Sequence, residues 1–207
     1  MSKKIIITGG IGYIGTELCK IYSGISWNNE ILVIDNRFIS ERVNQLRNWG
    51  IDFIHGDILD KDLINKHFKD ADIVHHLAGV TDVPRIKSES SDDKDAKIEL
   101  VAEKGTQNIL DVIKADCKII FPSTHVVYEG IEKIKNNILE EELTKPVLSY
   151  ACSKAINEKQ LKNSGKNYII LRLGSVYGYS TDTARIDIMP NLFSKIASQN
   201  GTLKLFA

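Results

Sequence analysis

Two side chains four residues apart, Tyr150 and Lys154, form the pair in this sequence best suited to moving a proton. On a helix they lie one turn apart on the same face. A free phenol, with a pKa of about 10, is a poor base at neutral pH. A neighbouring ammonium favours the phenolate and lowers that value. Such a tyrosine can take a proton from an alcohol as a hydride leaves for an acceptor, or return it in reverse. Far upstream the chain runs Ile5-Ile6-Ile7-Thr8-Gly9-Gly10-Ile11-Gly12-Tyr13-Ile14-Gly15, an apolar strand feeding a glycine-rich turn and then a helix. Gly9 suits a tight turn, Gly12 a close approach of backbone to a pyrophosphate, and Gly15 close helix packing, with Gly10 as added freedom. The N-terminus of the Tyr13 helix offers N–H groups and a positive dipole end to phosphates. Ser123 and Thr124, at the end of a later strand, supply hydroxyls for a substrate oxygen. Each motif alone recurs by chance in many chains. In this order they point to hydride chemistry on a bound nicotinamide.

Asp35 ends the second apolar run, about 20 residues past the last glycine, where a carboxylate accepts hydrogen bonds from both ribose hydroxyls and repels a 2′-phosphate. That favours NAD over NADP. Arg37, two residues on, keeps the second cofactor open, since an arginine there can hold a 2′-phosphate. Asp57, in His55-Gly56-Asp57-Ile58, is either a neighbour of the adenine or an ordinary turn aspartate.

Those groups need a scaffold. Apolar runs of strand length occur at Ile5–Thr8, Glu30–Asp35, Asp52–His55, Ile73–Leu77, Lys118–Pro122 and Tyr168–Leu173. They are rich in Ile and Val without strict alternation, as strands buried on both faces are. Helical patterns lie between them: Tyr13–Tyr22, Ser40–Trp49 with Ser40 as N-cap, Asp60–Phe68, Lys94–Ala115 and Ser149–Ser164. Alternating strand and helix predicts an α/β fold of Rossmann type, a doubly wound parallel sheet with helices on both faces. Thr81–Asp95 reads as a polar loop beside the cofactor, and His125–Val147 as a long irregular segment. Met189–Gln199 reads as a helix, and Leu203-Lys204-Leu205-Phe206 as the start of a strand. His75-His76 reads as a strand end rather than a metal site.

The chain has 207 residues, 27 basic and 27 acidic, for a net charge of zero. That argues against nucleic acid or an anionic membrane as the main partner. No apolar run approaches the ~20 residues of a membrane span, and Lys3-Lys4 lead straight into a strand without a signal pattern. The three widely spaced cysteines, Cys19, Cys117 and Cys152, have no metal-ligand spacing and read as reduced thiols of a cytoplasmic protein. No metal site is expected.

The chain resembles the extended short-chain dehydrogenase/reductase family, and within it the NAD-dependent nucleotide-sugar epimerase/dehydratase group. The matching pieces are Thr8 to Gly15, Asp35, Gly56-Asp57-Ile58, His76-Leu77-Ala78-Gly79, Gly105-Thr106 and Ser123-Thr124-His125-Val126-Val127-Tyr128. Tyr150-Ala151-Cys152-Ser153-Lys154 and Leu171-Arg172-Leu173-Gly174-Ser175-Val176-Tyr177-Gly178 follow in family order. The resemblance implies Thr124, Tyr150 and Lys154 as the catalytic set, with Tyr150 as acid/base and Lys154 as its helper. It implies that Gly9, Gly12, Tyr13, Ile14, Gly15, Asp35, Asn36, Asp57, Ile58, Leu77, Ala78, Gly79, Tyr150, Lys154 and Leu173 line NAD. It implies Ser123, Thr124, His125, Ser175 and Asn191 for a UDP-, dTDP- or GDP-linked sugar.

Departures narrow this. His125 and Val126 stand where sugar 4,6-dehydratases carry an acidic group, which disfavours water elimination. Ala102 and Ser175 stand where the family often has Asn. Residues 1–173 are expected to form the NAD-binding domain, and 174–207 the beginning of a truncated substrate lobe. The first expectation is an NAD-dependent nucleotide-sugar epimerase. A reductase or dehydrogenase of the same family is the alternative, and a non-catalytic NAD-binding module the third. Family members often pair through the long fourth helix and the Tyr-Lys helix, so the resemblance also implies a homodimer.

Overall fold

A computed structural model describes residues 2–25, 28–80, 91–180, 185–186 and 188–204. Six parallel strands form one sheet: β1 (Lys4–Thr8), β2 (Glu30–Asp35), β3 (Asp52–His55), β4 (Ile73–His76), β5 (Lys118–Thr124) and β6 (Asn167–Leu173). Their order across the sheet is β3-β2-β1-β4-β5-β6. The chain winds outward from β1 to β3, returns to the other side of β1, and winds outward again. The reversal leaves a crevice at the C-terminal ends of β1 and β4, where Thr8 pairs with His76. Ligands of open α/β sheets bind at such a switch point.

Helices α1 (Tyr13–Ser23), α2 (Ser40–Asn48), α3 (Lys61–His67), α4 (Asp92–Val112), α5 (Ser149–Asn163) and α6 (Met189–Ser198) make the connections and follow the last strand. Side chains alternate between the faces of a strand, so consecutive apolar residues feed two cores. Ile5 and Ile7 pack with Val33, Cys19 and Leu46 on one face. Ile6 packs with Ile34, Val74, Ile109, Ile119 and Phe121 on the other. This two-sided burial is why β1 shows no polar alternation.

The strands fall within two residues of the sequence expectation at each end. The helix starts also fall within two residues, and the differences lie in the caps. Ser40 is the first residue of α2 rather than its cap; Ile39 holds the cap position with no side-chain bond. The working cap is Asp60, whose Oδ1 accepts from the amides of Asp62 and Leu63 at 3.0 and 3.1 Å. Helix α4 begins at Asp92, inside the stretch expected as loop; residues 81–90 of that stretch lie outside the described residues. The long segment after β5 opens with a 3-10 turn at His125–Tyr128 and is otherwise irregular. Leu203 and Lys204 are not in a strand, and Leu205 and Phe206 lie outside the described residues. No helix among the described residues is long and apolar enough to cross a membrane, and no group of three metal-ligating side chains gathers there.

Candidate functional site

The glycine turn leaves β1 through Gly9, whose φ of +70° is the left-handed conformation that favours glycine. A Cβ at Gly9 would lie 2.8 Å from the amide nitrogen of Ala78, and one at Gly15 only 2.5 Å from the carbonyl oxygen of Gly9. Gly10 is no spare freedom: a Cβ there would strike Val33 Cγ1 at 2.5 Å. Gly12 caps α1 in extended conformation without a side-chain bond. Gly9, Gly10 and Gly15 thus leave no room for a side chain and hold the turn close against the first turn of α1, whose N–H groups suit phosphates. The cradle therefore fits a dinucleotide. Tyr13 donates its hydroxyl to Gly178 O at 2.9 Å, tying the turn to the segment after β6. Ile14 is exposed.

At the end of β2, Asp35 is buried and already bonded. Its Oδ2 accepts from Ile11 N at 3.3 Å, while Oδ1 accepts from the backbone and Nε of Arg37 at 3.0 and 3.3 Å. Arg37 is thus the ion-pair partner of Asp35 rather than an independent cation. Asp57 bonds Leu59 N at 2.9 Å and the amide of Asn36 at 3.0 Å, so it serves the turn and joins Asn36 at the adjacent strand ends. Ile58 turns inward: it is buried against Gly105, and Asn108 donates to its carbonyl at 3.0 Å. Its side chain packs in the core. Leu77 to Gly79 continue β4 along the rim, with Ala78 N donating to Thr8 Oγ1 at 3.1 Å.

Thr124 closes β5 and caps the 3-10 turn, its Oγ1 accepting from Val126 N at 3.3 Å. Helix α5 brings Tyr150 and Lys154 to the same strand end. Lys154 Nζ donates to Pro122 O at 2.9 Å and sits 4.4 Å above the Phe121 ring and 5.8 Å from the Tyr150 ring centroid. Burial lowers the Lys154 pKa to about 8. Burial also raises the Tyr150 phenol, against the opposing charge of Arg185. The phenol thus shifts upward, opposite to the lowering expected from a neighbouring lysine: desolvation is the largest cause, and the opposing charge is that of Arg185 rather than Lys154.

Ser123 points its hydroxyl away from this role. Its Oγ donates to Glu158 Oε1 at 2.6 Å. Glu158 is buried and also takes two bonds from Arg172, at 2.9 and 2.6 Å. Arg172 reaches on to the Tyr128 hydroxyl and to Glu140 O. One buried ion pair therefore ties β5, β6, α5 and the irregular segment together. His125 Nδ1 lies 3.2 Å from Leu173 O; a carbonyl only accepts, so the ring proton sits on Nδ1. Ser175 is exposed. Asn191 is a staple, accepting from Gly178 N at 3.1 Å and donating to Arg185 O at 2.8 Å. Sequence reasoning missed Glu158, Asn157 and Arg185. Arg172 and Glu158 were visible only as single charges on otherwise half-buried elements.

The model of the NAD dependent epimerase/dehydratase family matches residues 5–206. Among curated proteins, the chain is 28% identical over 204 residues to a CDP-paratose 2-epimerase of Salmonella typhi, covering 84% of this chain and 58% of that protein. It is 29% identical over 197 residues to a dTDP-D-glucose 4,6-dehydratase of Dictyostelium discoideum, covering 85% and 44%. The chain spans about half the length of these curated relatives. Among solved structures, the UDP-glucuronic acid 4-epimerase of Bacillus cereus in complex with UDP-glucuronic acid and NAD superposes with a TM-score of 0.76 at 26% identity, covering 99% of this chain and 66% of that one. The UDP-glucose 4-epimerase of Brucella ovis in complex with NAD gives 0.67 at 28%, covering 90% and 55%.

Proposed function

Because the chain belongs to the NAD dependent epimerase/dehydratase family, we propose that it binds NAD in the glycine-lined crevice and epimerises a nucleotide-linked sugar there. The observation that carries this is the bond from Lys154 Nζ to Pro122 O, two residues before Thr124, with the Tyr150 ring 5.8 Å from the same nitrogen. It supports a reading in which Tyr150 works as the proton carrier beside the end of β5. NAD, when bound, supplies a hydride acceptor that can return the hydride to the other face of the sugar. Thr124 holds the reacting hydroxyl, Tyr150 takes and returns its proton, and Lys154 keeps the phenolate charge compensated. The ion pair of Asp35 with Arg37 supports NAD over NADP, since Arg37 is already engaged.

Residues 1–173 would be the NAD-binding domain and 174–207 the beginning of the substrate lobe. In this reading His125, Ser175 and Asn191 border the sugar, Asn191 through the backbone it staples. His125-Val126 in place of an acidic group supports epimerisation over dehydration. A second copy of the chain against α4 and α5, and a cytoplasmic location suited to the free thiols of Cys19, Cys117 and Cys152, complete the reading.

The test is incubation with UDP-, GDP- and dTDP-sugars and substoichiometric NAD, followed by proton NMR. Epimer formed beyond the NAD supplied is the expected result. Oxidised sugar capped at the NAD added would instead mean a dehydrogenase. No conversion by an NAD-loaded protein would reduce the chain to a binding module.

A further inference from the structure

His76 is fully buried, and the proton chemistry above gives it no role. Both its ring nitrogens are bonded: Nδ1 lies 3.0 Å from Thr8 Oγ1, and Nε2 lies 3.0 Å from Thr106 Oγ1. Each hydroxyl has a further partner. Thr8 Oγ1 accepts from the amide of Ala78 on the crevice rim at 3.1 Å. Thr106 Oγ1 accepts from Asn157 Nδ2 at 2.9 Å, and Asn157 also donates to Ala102 O at 2.8 Å. Asn157 stands three residues after Lys154 on α5. Each hydroxyl keeps one proton and one lone pair beyond the amide it accepts from, so a neutral imidazole in either tautomer donates to one threonine and accepts from the other.

We propose that His76 is a positioning residue, a neutral two-ended bridge that sets the Tyr150–Lys154 helix in register with the Gly9–Ala78 seat of the cofactor. It rests on the NAD-binding reading above but acts through Thr8, Thr106 and Asn157, touching neither NAD nor substrate. Neutrality is enforced by its surroundings: burial and the nearby Lys154 ammonium lower its pKa to about 3. Four elements distant in sequence (β1, β4, α4 and α5) meet in this one relay. Such a network is well specified only when every member is satisfied, and no nitrogen or oxygen of these four side chains is among the buried atoms left without a partner.

Thr106→Val removes the hydroxyl at the centre of the relay while keeping the shape of the side chain. In the 207-residue chain it should weaken NAD binding at least fivefold by calorimetry and speed hydrogen exchange at the Ala78 amide. Thr106→Ser should restore both. Ile109→Val, an equally buried change on the same helix, should move neither. Wild-type affinity and exchange in Thr106→Val would overturn the proposal, as would the same losses in Ile109→Val. In histidine-labelled protein, the ¹H–¹⁵N spectrum at neutral pH should show His76 neutral and held in a single tautomer; a cationic ring or one averaging between tautomers would overturn the relay. Should the wild-type chain fail to bind NAD, the cofactor reading falls, while the exchange and tautomer measurements still decide the bridge.

Discussion

The β1 side and the β6 side of this sheet, proposed above as the cofactor side and the substrate side, are held by different forces. Around β1 the three isoleucines 5 to 7 are completely buried, two apolar cores meet, and the glycine turn is fixed by backbone clashes. Toward β6 the picture reverses. Tyr168, Ile169 and Leu171 are exposed, α6 has no buried residue, and Tyr179 is 87% exposed. What fixes that side is a set of polar ties: Glu158 to Arg172, Tyr13 to Gly178, and Asn191 to the backbone of residues 178 and 185. Apolar packing is non-directional and tolerant, whereas a polar tie fails with the loss of one atom. The substrate side should therefore answer sharply to single polar substitutions.

The largest effect is expected at the buried ion pair. Glu158→Ala would leave Arg172 without its carboxylate, at a cost of about 3–5 kcal/mol, read as a lower denaturant midpoint. The paired change Glu158→Leu with Arg172→Met should recover most of that loss. A midpoint unchanged in the single variant would mean that β6 is held by something other than this pair.

The cofactor side should answer to acid instead. His75 and His76 have folded pKa values lowered to about 4 and about 3 by burial. Their stabilising neutrality is fully present above the unfolded value of about 6.5. As pH falls below that value, the unfolded chain takes up protons that the folded chain refuses. Stability is then lost by about 1.4 kcal/mol per pH unit for each histidine, until the folded values are reached. Unfolding at pH 7 and pH 5 measures this. A flat profile would show that the two rings are charged or exposed in the folded protein.

The smallest effect is expected at the tie between the two sides. Tyr13→Phe removes the bond to Gly178 and should cost about 1 kcal/mol. It should raise the KM for sugar more than the dissociation constant for NAD. A larger effect on NAD than on sugar would mean that Tyr13 serves the cofactor and not the tie.

The cofactor side was also the more legible in the sequence. Runs of Ile and Val announce strands buried on both faces, and Gly9, Gly12 and Gly15 announce a turn whose constraints are local. The substrate side rests on pairings that no spacing reveals. Ser123 looked like a substrate hydroxyl because its partner, Glu158, lies 35 residues on. His76 is the strand end that its sequence suggests, but its partners Thr8 and Thr106 lie 68 and 30 residues away, so the bridge they form with it shows in no local spacing. Tyr150 and Lys154 were visible as a pair, but the direction of the phenol's shift depends on burial, which the sequence does not display. Ser40 shows the limit in small: a good capping residue one position late lies inside its helix.

Tyr150 is proposed above to carry the proton at a centre whose cofactor seat does not depend on its hydroxyl. Tyr150→Phe tests it, with NAD affinity read by calorimetry and sugar conversion by proton NMR. NAD affinity should stay within about twofold of wild type while turnover falls by roughly 10²- to 10⁴-fold, the usual worth of a positioned acid/base. Undiminished turnover in that variant would contradict it.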